Sequence, residues 1–471
     1  MAAFYYPWYG NPETDGKWIH WTQNNHFPPD DIGADYYPAL GAYSSNDPTV
    51  VAQHMEWLRQ AGIGVIITSW WGQGSREDQA VPLLLQTAEG SGIKVAFHIE
   101  PYNGRTAESL VSDIQYLYEN YGSSPAFFRS DATSRYSPNS EPKGMFFVWR
   151  IGTKGAEGEH VEAEYWREAM DTIHALPEGA LIIANTTKGS WVTGAHFDGL
   201  YNYATLHLEE SGGFDWARSL PPDSLYVPSV IPGFSAKRVG YAETTYVPRE
   251  NGSTFKSQWA SALGTGVEPA LVTITSFNEW HEGSIIEPAQ FGLRDGNGTG
   301  YEDFDSLPPE GYLALAREWV ETYLAMRWPS TYRARVVVAT TSDWTTLELV
   351  SGGVWIRPEP VSASPSALMA GMEAGDRFVL TQSLDDANAG TRVEMTWDVS
   401  LAGLAASQDL ILQIDRGNIG ETQVTMLNYL GEAPIEVKSF EWDQVTGDRN
   451  SHQITVPSAL LMGPNPRGGK P

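Results

Sequence analysis

From Ala2 to about Trp328 the chain alternates short apolar, β-branched or aromatic runs with stretches of helical period, and no other property restricts its fold as strongly. Such alternation is the pattern of repeated βα units around a parallel sheet. Eight runs qualify as strands: 3–8, 64–70, 94–100, 145–150, 180–185, 199–204, 224–231 and 270–277. Eight predict an α/β fold closed as a (β/α)8 barrel. Helix starts are marked by caps such as Asn46-Asp47-Pro48 ahead of Val50, where the Asp accepts from free N–H groups and Pro suits the first turn. The last helix, expected over 309–326, carries Leu313, Ala316, Val320 and Tyr323 along one face.

Beyond Ser330 the helical period vanishes. Runs at 335–339, 376–380, 391–397, 409–414 and 435–440 are separated by Gly, Asn, Asp and Ser turns, which predicts an all-β, sandwich-like domain over 331–462. A Pro- and Gly-rich disordered tail is expected over 463–471. The length of 471 residues agrees with two domains, because one core stops growing well below that size. Trp344, Trp355 and Trp397 would allow the second domain to bind glycan, although sandwiches commonly bury such residues.

Charge removes whole classes of partner. With a formal charge of -28 and a pI near 4.6, the chain lacks the clustered Lys and Arg that nucleic acid or an anionic membrane demands. No run of 18 apolar residues occurs, so no membrane span is expected. Absence of cysteine excludes disulfides, thiol catalysis and Cys-ligated zinc without deciding the compartment. The sequence opens directly on its first strand without a charged-then-apolar leader; the expected location is extracellular, periplasmic or at the cell surface. Aromatic content of 12%, with 18 Trp, exceeds what a core needs and favours a protein that handles sugar rings. A monomer is the expectation.

Active sites of such barrels gather at the C-terminal ends of the strands. Those ends hold Tyr6 and Trp8, Trp70 and Trp71, His98, Glu100 and Tyr102, Tyr201 and Tyr203, and then Asn278, Glu279, Trp280 and Glu282. Each alone has an ordinary structural reading; three carboxylates, a His and many aromatics in one cleft would be costly to desolvate without a function. Glu279 and Glu282 are the informative pair. If the Asn-Glu-Trp-His-Glu stretch turns helically, the two lie on one face with Cβ atoms roughly 5 to 6 Å apart, about what a glycosidase needs when no water fits between its carboxyls.

Six motifs carry a resemblance: Tyr5-Tyr6-Pro7-Trp8-Tyr9-Gly10-Asn11-Pro12; Pro28-Pro29-Asp30-Asp31-Ile32-Gly33 with Tyr37-Pro38 and Tyr43-Ser44-Ser45; His98-Ile99-Glu100-Pro101-Tyr102; Phe197-Asp198-Gly199-Leu200-Tyr201; Pro228-Ser229-Val230 with Pro232-Gly233; and Ser276-Phe277-Asn278-Glu279-Trp280-His281-Glu282-Gly283. In this order, over residues 3 to about 328, they resemble the glycoside hydrolase family 99 endo-α-1,2-mannosidases and mannanases. The resemblance implies a barrel, internal cleavage of α-1,2-mannosyl linkages with retention, and a substrate of α-mannan or high-mannose oligosaccharide. It also implies an unusual mechanism in which Glu279 deprotonates the sugar's 2-hydroxyl, which closes on C1 as a 1,2-anhydro sugar. Glu282 would then be the acid and later the base. Glu100 and Tyr203 would hold the sugar, His98 and Asn278 support them, Tyr6 and Trp8 form a floor, and Trp71 lie over the distal sugar, as in members expected to prefer α-1,3-mannosyl-α-1,2-mannose. Trp280 would help to desolvate the acid.

The alternatives are a catalytically silent glycan-binding barrel and an endo-α-glucanase on the same scaffold. No cofactor and no metal is expected, because the histidines lack the His-x-His and His-Glu-x-x-His spacings. Asp295-Gly296-Asn297-Gly298-Thr299 resembles the start of a calcium loop but has no glutamate at the twelfth position.

Overall fold

The computed structural model describes residues 1–208 and 211–327 and, beyond them, the backbone of strands between 333 and 456. The chain divides into two compact units, Met1–Val320 and Glu321–Pro471. In the first, the strands are β1 (Ala2–Tyr5), β2 (Val65–Trp70), β3 (Lys94–Ile99), β4 (Arg129–Ser130), β5 (Lys143–Val148), β6 (Leu181–Asn185), β7 (Gly199–Tyr201), β8 (Leu225–Val227), β9 (Ser229–Val230) and β10 (Thr273–Ile274). All but β4 run parallel, in the order β8-β7-β6-β5-β3-β2-β1-β10-β9. β4 pairs antiparallel with β5.

The ends of that order are consecutive pieces of one stretch, which closes the ring. Pro228 separates them, and having no N–H it cannot donate to a ladder. Its carbonyl still accepts from Thr273 at 2.9 Å, while Ala270 N–H reaches Tyr226 and Thr275 N–H reaches Val230. Each of the eight runs singled out in the sequence therefore holds a stave of the barrel, the seventh split at the proline. Every residue of β2 and β5 is buried, as expected of parallel strands covered on both faces.

Between the strands run α1 (Pro12–Asp15), α2 (Pro48–Gln60), α3 (Arg76–Ser91), α4 (Ala107–Tyr121), α5 (Arg167–His174), α6 (Ser190–Ala195), α7 (Ser253–Leu263) and α8 (Gly311–Arg327). Local chemistry sets their starts. Asp47 accepts from Thr49 N–H ahead of Pro48, and Thr106 with Ser109 forms a reciprocal capping box on α4. In the second unit the described strands form two antiparallel sheets, one of five and one of six strands. The side chains of Trp344, Trp355 and Trp397, and the segment 463–471, lie outside the described residues.

Candidate active site

After β10 the chain reaches Asn278 and a single 3-10 turn, Trp280–Glu282. The sequence expectation of a helical turn is met by this tighter form, in which positions i and i+3 eclipse and bring Glu279 and Glu282 to one side. Glu279 caps the turn: its Oε1 accepts from His281 N–H at 3.1 Å, and its own N–H donates to Ser276 Oγ at 2.7 Å. Gly283 ends it at φ 56, where a Cβ would meet the Ser235 carbonyl oxygen at 2.5 Å, so only glycine fits. Ser235 N–H in turn donates to the Glu282 carbonyl at 2.8 Å.

The two carboxyls are held differently. Glu279 is buried and its Oε2 has no hydrogen-bond partner, an exception to the rule that buried polar atoms are satisfied. Burial and then the charge of Glu282 push its pKa upward, while the backbone N–H groups of His281 and Glu282 oppose the rise. Glu282 is partly exposed and takes one hydroxyl, that of Tyr203, at 3.3 Å. Desolvation pushes it up to about 7, against the Tyr203 hydrogen bond and with a further contribution from Glu100. Two acids this close titrate as a pair that retains one proton into the neutral range.

Around them stands a ring of aromatics. Tyr6 and Tyr203 share a hydrogen bond between hydroxyls, and both hydroxyls are pushed well up, first by burial and then by carboxylates, with Glu100, Glu279 and Glu282 all acting on Tyr6. Glu100 accepts from Ser69 Oγ at 2.8 Å; His98 Nδ1 stands 3.0 Å from the same oxygen without the alignment of a hydrogen bond. Trp8 stacks on His20 at 4.6 Å and lies 4.7 Å from the Tyr6 ring. Trp71 is half-buried and donates to Ser69 Oγ, and Tyr102, also half-buried, donates to Asp113 and shares a hydrogen bond with the Ser109 hydroxyl.

Four residues expected from the sequence to touch substrate stand behind this surface. Trp70, Tyr201, Asn278 and Trp280 have no exposed area. Trp70 donates to Asp78 and Tyr201 shares a bond of 2.6 Å with His98 Nε2. Asn278 mimics a strand: Oδ1 accepts from Tyr6 N–H at 2.7 Å and Nδ2 donates to Tyr6 O at 3.1 Å, tying the end of β1 to the turn that carries the paired glutamates. Trp280 Nε1 donates to Glu287 Oε2 at 3.0 Å. These side chains brace the cleft rather than line it, because they are fully enclosed and their polar atoms are taken up by protein partners.

Sequence reasoning also missed parts of the site. Trp149 packs edge-on against Tyr203 at 4.9 Å, and His20, carried on the β1–α2 connection, covers Trp8. Neither belongs to a motif, and only the closed barrel brings them in. Beneath the turn, Glu287 accepts from Tyr43, Trp280 and a hydrogen bond shared with His54, which also contacts Tyr5. Asp295 is engaged within the protein: its Oδ1 accepts from Asn297 and Thr299 N–H, and its Oδ2 holds Arg238 at 2.9 Å. Among the described residues no cluster of His, Asp and Glu has the makings of a metal site.

Comparison with known proteins agrees with the barrel fold. Residues 1–325 match the family model of glycosyl hydrolase family 99. The chain is similar to the mouse glycoprotein endo-alpha-1,2-mannosidase, 34% identical over an alignment of 365 residues that covers 69% of this chain and 74% of the mouse protein. The Xenopus laevis enzyme of the same name is also 34% identical, over 69% of this chain and 77% of its own. Among solved structures, the family 99 endo-alpha-mannosidase of Bacteroides thetaiotaomicron aligns with a TM-score of 0.58 at 33% identity, covering 68% of this chain and 96% of that one. Motifs, barrel and paired glutamates thus converge with matches spanning the whole first unit, and the chain belongs to glycosyl hydrolase family 99, as a glycoside hydrolase.

Proposed function

We propose that the protein is a retaining, endo-acting α-mannosidase that cleaves internal α-1,2-mannosidic linkages by participation of the substrate's own 2-hydroxyl. The observation that carries this reading is the inequality of Glu279 and Glu282 on one turn: a buried carboxyl with one unpartnered oxygen, beside a partly exposed acid poised near neutrality. The printed names of the mouse and frog relatives support the linkage.

In an α-mannoside the axial 2-hydroxyl lies anti to the axial leaving group and can attack C1 from the rear. Glu279 Oε2 takes the hydroxyl proton, O2 closes on C1, and the C1–O bond to the leaving sugar breaks as Glu282 gives that oxygen its proton. In the second half Glu282 removes a proton from water, which attacks C1 and opens the three-membered ring, and Glu279 returns the proton to O2. Two inversions give net retention, and the enzyme never bonds to the sugar. Glu100, Tyr6 and Tyr203 hold the reacting sugar, Trp8 supplies a floor, and Trp71 covers the distal sugar, in line with an α-1,3-mannosyl-α-1,2-mannose unit of mannan or a high-mannose glycan. Action on such glycans fits a protein working outside the cell, in the periplasm or at the cell surface. Among the described residues no helix is long and apolar enough to cross a membrane.

Product analysis on mannans of known linkage tests the reaction: release of α-configured fragments from internal α-1,2 bonds is expected, and cleavage of α-glucans instead would overturn it. A 2-fluoro mannoside with an activated leaving group tests the route. It offers no internal nucleophile, so intact-protein mass spectrometry should find no label; a glycosyl ester on Glu279 would refute the anhydro sugar.

A further inference from the structure

The loop after β9 is bolted to the catalytic turn and to a second loop. Ser235 N–H donates to the Glu282 carbonyl at 2.8 Å, while Asp35 gathers Ser235 Oγ, Lys237 N–H and Arg238 N–H at 2.7, 2.8 and 3.0 Å. Tyr241 N–H closes the loop onto Ala236 O at 3.1 Å, just after Gly240 at φ +87. The Arg238 carbonyl accepts from Asn24 and His26, and its guanidinium holds Asp31 and Asp295 and lies 4.2 Å from the Tyr301 ring centre. A loop tied at so many points would be expected to keep its side chains covered. Yet Tyr241 is 52% exposed, against a described surface on which only Phe27, Leu40 and Tyr246 are the other exposed large apolar side chains.

Single exposed aromatics are common and need no explanation. Tyr241 is different because of where it stands. Its ring lies 6.1 Å from the buried ring of Phe234, its backbone is fixed through Ala236 and Ser235 to Glu282, and the charges of Glu282 and then Glu279 act, after burial, to push its hydroxyl upward. It is therefore an exposed aromatic face on a loop whose backbone is bonded to that of Glu282.

We propose that Tyr241 is the platform for the sugar on the leaving side of the scissile bond. The reasoning rests on the function proposed above: Glu282 protonates the leaving oxygen, so the sugar attached to that oxygen must extend past Glu282, where a flat apolar face can stack on it. A ring that stacks offers large contact area at small cost in rotamer freedom. Tyr241 thus acts in binding and selection of the leaving-side mannose, while the acids carry the chemistry.

The test compares two substrates that share their non-reducing sugars: an α-1,2-linked mannotetraose, with sugars on the leaving side, and the matching mannobiosyl fluoride, with none. Tyr241→Ala should lower kcat/KM on the tetrasaccharide about tenfold, mainly through KM, a loss of the size stacking contributes. Its loss on the fluoride should be several-fold smaller, and Tyr241→Phe should recover most of the tetrasaccharide activity. Equal losses on both substrates would make Tyr241 a prop for the catalytic turn and overturn the proposal, as would no loss on either. If wild-type protein cleaved neither substrate, the endo-mannosidase reading itself would fall, an outcome distinct from an active wild type with an indifferent Tyr241→Ala.

Discussion

Two glutamates on one segment, Glu279 and Glu287, have almost the same burial and opposite surroundings. Glu287 is wholly enclosed, and both its oxygens are engaged by Tyr43, Trp280 and His54. Glu279 has one backbone donor on Oε1 and nothing on Oε2. A buried acid with both oxygens answered is a structural member; one left half-answered costs stability and is retained where a substrate hydrogen completes it. Burial alone could not have told these two apart. Their partners do.

The largest effect expected from that contrast is on turnover. Glu282→Gln, which leaves the turn and its Tyr203 contact in place but cannot move a proton, should lower turnover on an unactivated mannan by a factor on the order of hundreds or more. Retention of more than about a tenth of wild-type rate would sink its assignment, and substrates with a good leaving group should recover part of the loss.

Stability should divide the pair in the opposite sense. Glu287→Ala strips Tyr43, Trp280 and His54 of their shared acceptor and should cost about 3 kcal/mol or more in denaturant unfolding. Glu279→Gln should cost nothing measurable, or raise Tm, because it removes a desolvated charge. Equal destabilisation by both would erase the comparison.

The pH dependence follows from Glu282. Its folded value, about 7, lies above its ordinary 4.5, so between those values the folded state holds more protons than the unfolded state. Stability contributed by this group is thus present at low pH and declines as pH rises through that window. Activity should fall along an alkaline limb near the same value as the acid is lost. A rate that climbed steadily through pH 8 would contradict a protonated Glu282.

The smallest expected change is a displacement of that limb. Tyr203→Phe removes the hydroxyl that donates to Glu282 and holds its pKa down, so the limb should move to higher pH while kcat falls about tenfold through loss of a contact to the sugar. An unmoved limb would show that the bond of 3.3 Å has no influence on the acid.

Local pattern was enough to reveal much of this. Apolar runs and caps such as Asp47 with Pro48 are short-range properties, so the strands and helix starts stood in plain view. The Glu279/Glu282 spacing was equally local, because i and i+3 meet on one side of any tight turn. Orientation across the barrel was not. Whether Trp70, Tyr201, Asn278 and Trp280 face the cleft or brace it from behind depends on how neighbouring staves are staggered. The arrival of Trp149, His20 and the Tyr241 loop depends on contacts between residues tens to hundreds of positions apart. By itself the sequence determined which residue types could do the chemistry and on which kind of scaffold. Only the closed tertiary structure decided which of them line the cleft and which are enclosed behind it, because exposure and hydrogen-bond partners belong to the packed whole and have no periodic signature along the chain.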